Sequence, residues 1–175
     1  IAGLGNGAVD FAGSGPVHMI GGVVGLAGAI VIGPRIGKFN KDGSANAIPG
    51  HNITIGILGT IILFFGWFGF NPGSSLGFVG GFRNLAVIAA INTLLAGAAG
   101  GVSAMTYMWI FGPAKKPDAG MSVNGLLAGL VAITAPCAFV DQWAAVVIGL
   151  IAGVLVCFAS VWLEKLKIDD PVGAV

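Results

Sequence analysis

The chain carries very little charge. Only 9% of its 175 residues are Asp, Glu, Lys or Arg, whereas a soluble domain has about 25%. The eight basic and seven acidic residues stand in short clusters, and the sequence between the clusters is free of charge. This distribution excludes a soluble fold built from amphipathic helices, because such helices carry charge along one face. The charge-free stretches are 11–34, 43–82, 84–114, 119–140 and 142–163.

Each charge-free stretch is long enough to hold one helix that crosses a membrane, which takes about 20 apolar residues. The sequence therefore predicts an all-α integral membrane protein with five transmembrane helices. The chain begins without Met and inside an apolar segment, and residues 168–175 have the pattern that begins a further helix. We therefore expect an internal fragment of a longer membrane domain. The predicted spans are about 14–33, 52–71, 84–111, 121–139 and 143–163.

Residues that carry enzyme chemistry are scarce in the sequence. The two cysteines, Cys137 and Cys157, lie in different predicted spans without a C-x-x-C pair, and packing is the expected role of both. The sequence contains no cluster of metal ligands, no nucleophile–base pair and no basic patch for nucleic acid. It therefore predicts a protein that is not an enzyme and that has no metal, no cofactor and no nucleic-acid partner.

The basic residues predict the orientation of the chain in the membrane. Seven of the eight Lys and Arg residues fall in the linkers 34–51, 112–120 and 164–171, which alternate with the nearly uncharged linkers 72–83 and 140–142. Basic linkers normally face the cytoplasm. We therefore expect a multi-pass protein of the cell membrane whose N-terminal end lies outside and whose C-terminal end is cytoplasmic.

One ionisable side chain, His18, lies inside the first predicted span. If that helix begins near Asp10, eight residues at about 1.5 Å each place His18 about 12 Å into the bilayer. An ionisable group at that depth is costly and normally marks a transport pathway or a proton relay. The alternative is a histidine that only bonds a neighbouring helix. We expect His18 to line a pathway.

Several motifs resemble one family in the same order along the whole chain. DFAGSGPVHMIGGVVGLAGAIVIGPR at 10–35 resembles the signature of the ammonium transporters (Amt/Mep, relatives of the Rhesus glycoproteins). The stretches GWFGFNPGSS at 66–75, NGLLAGLVAITAPCAF at 124–139 and KIDDPVGAV at 167–175 resemble later spans of the same family. The resemblance implies a helical bundle of eleven spans, built from two inverted five-helix halves plus one helix. This chain then covers spans five to nine.

The resemblance also implies roles for six residues. His18 matches the first of two facing pore histidines, and the second would follow the aspartate Asp170 at position 178, beyond the last residue of this chain. For the aromatic residues and the threonine, packing remains the alternative. The implied roles are a structural support of the substrate site for Asp10, a gate for Phe70, a pore lining for Trp67, outer substrate recruitment for Ser74 and a place beside the pathway for Thr134.

The function implied by the resemblance is transport of ammonium or ammonia through a histidine-lined, hydrophobic pore. Ammonium is recruited at an outer vestibule and deprotonated before conduction, and methylammonium serves as an analogue. The implied partners are the lipid bilayer, two further copies in a homotrimer and a cytoplasmic regulatory protein. The alternative is an ammonium sensor, in which the same membrane domain drives a cytoplasmic output module.

Overall fold

The computed structural model describes residues 7–175, and within this range the chain is helical and has no β-strand; Phe39 and Ala45 form an isolated bridge. A π-helical segment, Ser14–Met19, continues directly into the first α-helix. The α-helices are α1 (Ile20–Ile32), α2 (Ile53–Gly73), α3 (Gly81–Phe111), α4 (Ala119–Ile133) and α5 (Gln142–Lys165).

Four of these helical segments are long and apolar enough to cross a membrane: Ser14–Ile32, Ile53–Gly73, Gly81–Phe111 and Gln142–Lys165. The fifth, α4, is also apolar but has only 15 residues. Large apolar side chains remain on the outside of the bundle, and those of Phe65, Phe111 and Trp143 are more than half exposed. An apolar exterior of this extent suits lipid rather than water.

Two of the helices begin at side-chain caps. The Asn52 side chain accepts a hydrogen bond from the Ile55 N–H at the start of α2, and Asp118 does the same for the Met121 N–H at the start of α4. Such caps satisfy backbone donors that have no partner within the helix. Both caps lie beside the charge-poor stretches, so the polar residues mark the helix ends.

Helices α3, α4 and α5 form the packed centre of the described residues, and small residues bring them together. A Cβ added to Gly129 or Gly149 would overlap the backbone of Ala96, and one added to Gly153 would overlap the backbone of Gly100. Without side chains at these positions the helix backbones approach closely, which is how helices pack in lipid. The buried residues next to this contact include Ala89, Ile133 and Cys137.

Helix α4 ends earlier than the sequence predicts. The predicted span reaches residue 139, whereas the helix ends at Ile133 and residues 134–140 form a compact turn. Pro136 has no N–H to donate to a helix, and the residue before a proline is disfavoured in helical conformation. The Phe139 and Val140 N–H groups donate instead to the Pro136 carbonyl. We call residues 134–140 the α4 turn.

Residues 168–175, expected to begin a further helix, form a turn rather than a helix. The Asp170 carboxylate accepts hydrogen bonds from the Ala174 and Val175 N–H groups at 3.0 and 2.9 Å. This segment runs beside α1, since a Cβ on Gly22 would lie 3.2 Å from the Val175 carbonyl oxygen. Hydrogen bonds from backbone N–H groups to a side-chain carboxylate are the kind that cap helix N-termini.

Ion pairs join the loop after α1 to the end of α5. The Asp169 carboxylate is buried and accepts hydrogen bonds from the Arg35 N–H at 2.9 Å and from the Arg35 guanidinium at 2.7 and 2.9 Å. The side-chain bonds from Arg35 are the main reason that the pKa of Asp169 falls to about 2. The Lys38 ammonium also pairs with Glu164. We call this group of ion pairs the loop clasp.

Candidate functional site

The candidate site begins at a carboxylate that holds the turn before the first helix. Asp10 Oδ1 accepts hydrogen bonds from the Gly13 and Ser14 N–H groups, and Oδ2 accepts one from Gly15, at 2.7 to 3.0 Å. Burial alone raises the pKa of Asp10, but the three backbone bonds outweigh it and hold the pKa below its ordinary value. The carboxylate therefore stays ionised and fixes the start of the helix that carries His18.

The backbone at this turn requires a glycine and repeats at the other end of the chain. Gly13, three residues after Asp10, has a φ of 111°, and Gly173, three residues after Asp170, has a φ of 73°. A side chain is strained at such angles. In both places the carboxylate accepts hydrogen bonds from residues four and five positions later. The two turns therefore share one local geometry.

His18 lies in the π-helical segment and meets two aromatic rings of α2. Its ring stacks on Trp67 with centroids 5.2 Å apart and an interplanar angle of 21°, and it meets Phe70 edge-on at 5.6 Å. Trp67 and Phe70 are themselves 5.9 Å apart in an edge-on arrangement. Short π-helical turns of this kind are frequent at functional sites. We call these three residues the aromatic triad.

One imidazole nitrogen in this triad has no hydrogen-bond partner among the described residues. His18 Nε2 is inaccessible to solvent and unbonded, although the residue as a whole is half-buried. A buried polar atom without a partner is costly unless a ligand, a water or another segment of the protein completes it. The triad therefore contains an unused hydrogen-bonding position beside two aromatic faces.

Thr134 links the triad to the α4 turn. The Trp67 indole N–H donates to Thr134 Oγ1 at 3.2 Å, and the Thr134 hydroxyl donates to the Leu130 carbonyl at 2.7 Å. Thr134 is fully buried. The Thr134 hydroxyl therefore donates within α4 and accepts from the Trp67 indole N–H. The second bond fixes the indole plane that stacks on His18.

The same turn also holds the segment just before His18. The Phe11 and Ala12 N–H groups donate to the Ala135 and Thr134 carbonyls at 2.9 and 3.2 Å. The Ser14 hydroxyl donates to the Val131 carbonyl and accepts from the Ala135 N–H, both at 2.8 Å. Both sides of the triad, the His18 helix and Trp67, are therefore anchored on residues 131–135.

Ser74 lies one turn beyond Phe70 and apart from these contacts. Its hydroxyl donates to the Phe70 carbonyl at 3.0 Å, so its proton is used within its own segment, and its oxygen accepts no hydrogen bond among the described residues. Of the six site residues predicted from the sequence, the structure brings together His18, Trp67, Phe70 and Thr134. Asp10 acts on the backbone at the start of the His18 helix, and Ser74 stands next to the group on the Phe70 side.

Asn92 is a buried polar residue of this region that sequence reasoning missed. It is fully buried in α3 and donates two hydrogen bonds to the α4 turn, to the Cys137 and Val140 carbonyls, both at 2.8 Å. The signal that could have revealed it is an amide inside a charge-free apolar stretch, where a polar side chain usually bonds a neighbouring helix. Ser14, whose hydroxyl bonds Val131 and Ala135, was also missed, because serine is common at helix starts and gives no such signal.

The fold and the site together define a class of protein. The described residues form a multi-pass helical membrane bundle, and a histidine meets aromatic rings inside its apolar segments. Within residues 7–175 no three His, Cys, Asp or Glu side chains lie close enough to hold a metal ion.

Comparisons with known proteins place the chain within this class. The model of the Ammonium Transporter Family matches residues 3–175. The ammonium transporter Amt2 of Archaeoglobus fulgidus is 54% identical over 174 residues, which cover 99% of this chain and 36% of that protein. A solved structure described as a sensor Amt protein superposes with a TM-score of 0.88 at 48% identity, covering 96% of this chain and 40% of that one. Saccharomyces cerevisiae Mep2 superposes with a TM-score of 0.83 at 34% identity, covering 96% of this chain and 36% of that one.

The chain belongs to the ammonium transporter family. It spans between a third and two fifths of the length of these relatives.

Proposed function

We propose that the protein containing this chain transports ammonium or ammonia across the cell membrane and that His18 lines the path. The observation that carries the proposal is the aromatic triad, in which the buried, unbonded His18 Nε2 stands beside Trp67 and Phe70. A neutral imidazole can donate from one nitrogen and accept at the other. Ammonia also both donates and accepts hydrogen bonds, so the unbonded nitrogen suits it.

The two aromatic residues have different roles in this proposal. Aromatic faces attract a cation by about 0.5–2 kcal/mol, which favours ammonium beside Phe70 on the outer side. A bare cation is costly in an apolar section, so ammonium leaves its proton with water on the outer side of Phe70, and neutral ammonia passes His18. Phe70 acts as the gate, and Trp67 lines the path and holds the imidazole plane.

The remaining site residues act around this path. The Ser74 oxygen accepts N–H bonds from ammonium on the outer side of Phe70 and so recruits it. Thr134 holds the indole of Trp67. Asp10 does not touch the substrate; it supports the site by fixing the start of the His18 helix.

The orientation and assembly of the protein form part of the same proposal. The linkers 34–51, 112–120 and 164–171 are cytoplasmic, so the N-terminal end of the chain faces outside. Three copies assemble with a separate path in each, and the apolar, partly exposed helices α2 and α3 offer lipid-facing and subunit-facing surfaces. The basic cytoplasmic linkers give a regulatory protein a place to bind.

Uptake measured with the full-length protein tests the proposed function. In cells without ammonium uptake of their own, we expect it to support methylammonium accumulation that ammonium competes away and potassium does not. Cells without the protein provide the baseline. Accumulation no greater than that baseline, or equal competition by potassium, would contradict the proposal.

A second candidate function is ammonium sensing, because the chain is 48% identical to the structure described as a sensor Amt protein. The same site would bind ammonium, and a cytoplasmic output module would respond. Ammonium-dependent output with no methylammonium uptake would favour sensing over transport.

A further inference from the structure

We infer that Asn92 is a positioning residue for the aromatic triad, an inference that rests on the proposed function only for its transport readout. Among the described residues, the Asn92 amide donates to two backbone carbonyls and not to any of the three rings. It lies in the middle of α3 and acts on them through the α4 turn, which bonds both sides of the triad.

The first step is the contact between Asn92 and the turn. The Asn92 amide is fully buried, and Nδ2 donates to the carbonyls of Cys137 and Val140 at 2.8 Å each. Both carbonyls belong to residues that follow Pro136, where the helical hydrogen bonds of α4 have ended. Buried carbonyl groups need donors, and a single amide group supplies both.

The second step concerns why an amide is required. The two hydrogens of the Asn92 amide are committed to two acceptors, which fixes its orientation, and Oδ1 has no partner among the described residues. A carboxylate at this position would place an oxygen against two carbonyl oxygens. An apolar side chain of similar size would leave both carbonyls without a donor, and each such loss is costly in a buried place.

The third step leads from the turn to the triad. The α4 turn begins at Thr134, whose hydroxyl holds the Trp67 indole, and its Ala135 N–H is bonded to the Ser14 hydroxyl. The Phe11 N–H donates to the Ala135 carbonyl, and the Phe11 ring meets Phe139 edge-on with centroids 5.5 Å apart. A turn that relaxes after the loss of Asn92 moves both Trp67 and the start of the His18 helix.

The consequence is a change in the geometry of the site in addition to the cost of the lost hydrogen bonds. Positioning errors of about 1 Å far from a reacting centre can lower its rate by up to about 10²-fold. We therefore expect the Asn92→Leu variant to lower methylammonium uptake per molecule by roughly fivefold or more, the factor that corresponds to about 1 kcal/mol. The apparent KM and the selectivity for ammonium over potassium should change as well.

The test uses the full-length protein in a form whose only tryptophan is Trp67. Asn92→Leu removes both donors, and Asn92→Asp keeps the volume but removes the paired amide hydrogens. Ser103→Ala is the matched control on α3, because the Ser103 hydroxyl donates only to the Gly100 carbonyl of its own helix. Trp67 fluorescence and methylammonium uptake, each normalised to the amount of folded protein, are measured for all variants.

We expect both Asn92 variants to shift the Trp67 emission and to alter KM, while Ser103→Ala leaves both unchanged. Should Asn92→Leu fail to accumulate, Asn92→Asp is judged by the same two measurements. Trp67 emission and KM that match the parent protein in a folded Asn92 variant would overturn the inference. If the parent itself shows no uptake, the proposed function fails, and the Trp67 emission alone still decides the role of Asn92.

Discussion

At the scale of single residues, the site depends on a short chain of contacts from His18 to Trp67 to Thr134. The indole is held from both sides, by stacking on the imidazole and by its hydrogen bond to the Thr134 hydroxyl at 3.2 Å. Residues that share one interaction do not contribute independently. The effects of changing Trp67 and Thr134 should therefore overlap.

A double-mutant cycle tests this coupling. Trp67→Phe keeps an aromatic face and removes the indole N–H, and Thr134→Val keeps the shape and removes the acceptor. Each variant should raise the KM for methylammonium. The KM of the double variant should exceed that of the more impaired single variant by only a small factor. Uptake kinetics of the four proteins give the coupling energy, expected at roughly 0.5–3 kcal/mol. Effects on KM that simply multiply would show that the bond does not hold the indole in the working state.

The residues of the sequence alone singled out His18 as a candidate site residue but not the side chains around it, for physical reasons. A histidine in a charge-free apolar run is unusual in itself, so the residue type alone marks the position. Trp67, Phe70 and Thr134 are ordinary in apolar helices, and only the family resemblance singled them out. The contacts of Trp67 and Phe70 with His18, and of Thr134 with Trp67, depend on the packing of α2 and α4, and no local pattern encodes that packing.

At the scale of structural elements, the charge-free stretches predicted the number and order of the helices. They did not predict that α4 ends at Ile133 or that residues 168–175 form a turn. Pro136 disfavours a continued helix, and hydrogen bonds with Asn92 and Ser14 stabilise the turn from distant parts of the chain. The segment after Asp170 shows the same limit. The hydrogen bonds to the Asp170 carboxylate are local, whereas the formation of a helix also depends on residues that pack around it.

The loop clasp gives an element-scale prediction about pH. The pKa of Asp169 is about 2 in the folded protein, below its ordinary value of 3.8. A depressed carboxyl pKa stabilises the folded state above the unfolded pKa, and this contribution is lost as the pH falls through the folded pKa. The clasp should therefore contribute fully above about pH 4 and progressively less towards pH 2.

Thermal melting of the purified protein between pH 5 and pH 2 checks this prediction. Asp169→Asn should lower the melting temperature at pH 5, and the difference from the parent protein should shrink as the pH approaches 2. Asp141→Asn is the control, because the exposed Asp141 lies far from Arg35 in the sequence and forms no ion pair with it. A difference that stays constant down to pH 2 would mean that the Asp169 carboxylate is not what stabilises the loop.

At the scale of the whole molecule, an apolar exterior surrounds a packed centre of α3, α4 and α5. Helix α1 makes no close backbone approach to α2–α5 within the described residues, and its apolar side chains are exposed. The loop clasp, the contact of Gly22 with Val175 and the hydrogen bonds of the π-helical segment that precedes α1 connect it to the rest of the chain. The arrangement puts the His18 helix at the side of the bundle, with residues 171–175 beside it.

The orientation of this bundle in the membrane can be measured with single cysteines. Cys137 and Cys157 are buried, so they should add little background labelling. Cysteines replacing Lys41 or Lys116 should resist a membrane-impermeant thiol reagent added to intact cells and react after the membrane is opened. A cysteine replacing Asp141, in a linker expected outside, is the control that should react in intact cells. Labelling of the first two but not of the third would reverse the proposed orientation.

The central claim is that His18 lines the path, and one substitution tests it most directly. His51 is the other histidine of the chain and lies exposed in the loop before α2, so His51→Ala is a matched control. In the full-length protein, we expect His18→Ala either to abolish methylammonium uptake or to let potassium pass, because the narrow apolar section loses its hydrogen-bonding group and becomes wetter. His51→Ala should behave like the parent protein. If His18→Ala left ammonium flux, methylammonium uptake and the selectivity for ammonium over potassium unchanged, His18 would be a packing residue and the proposed mechanism would be wrong.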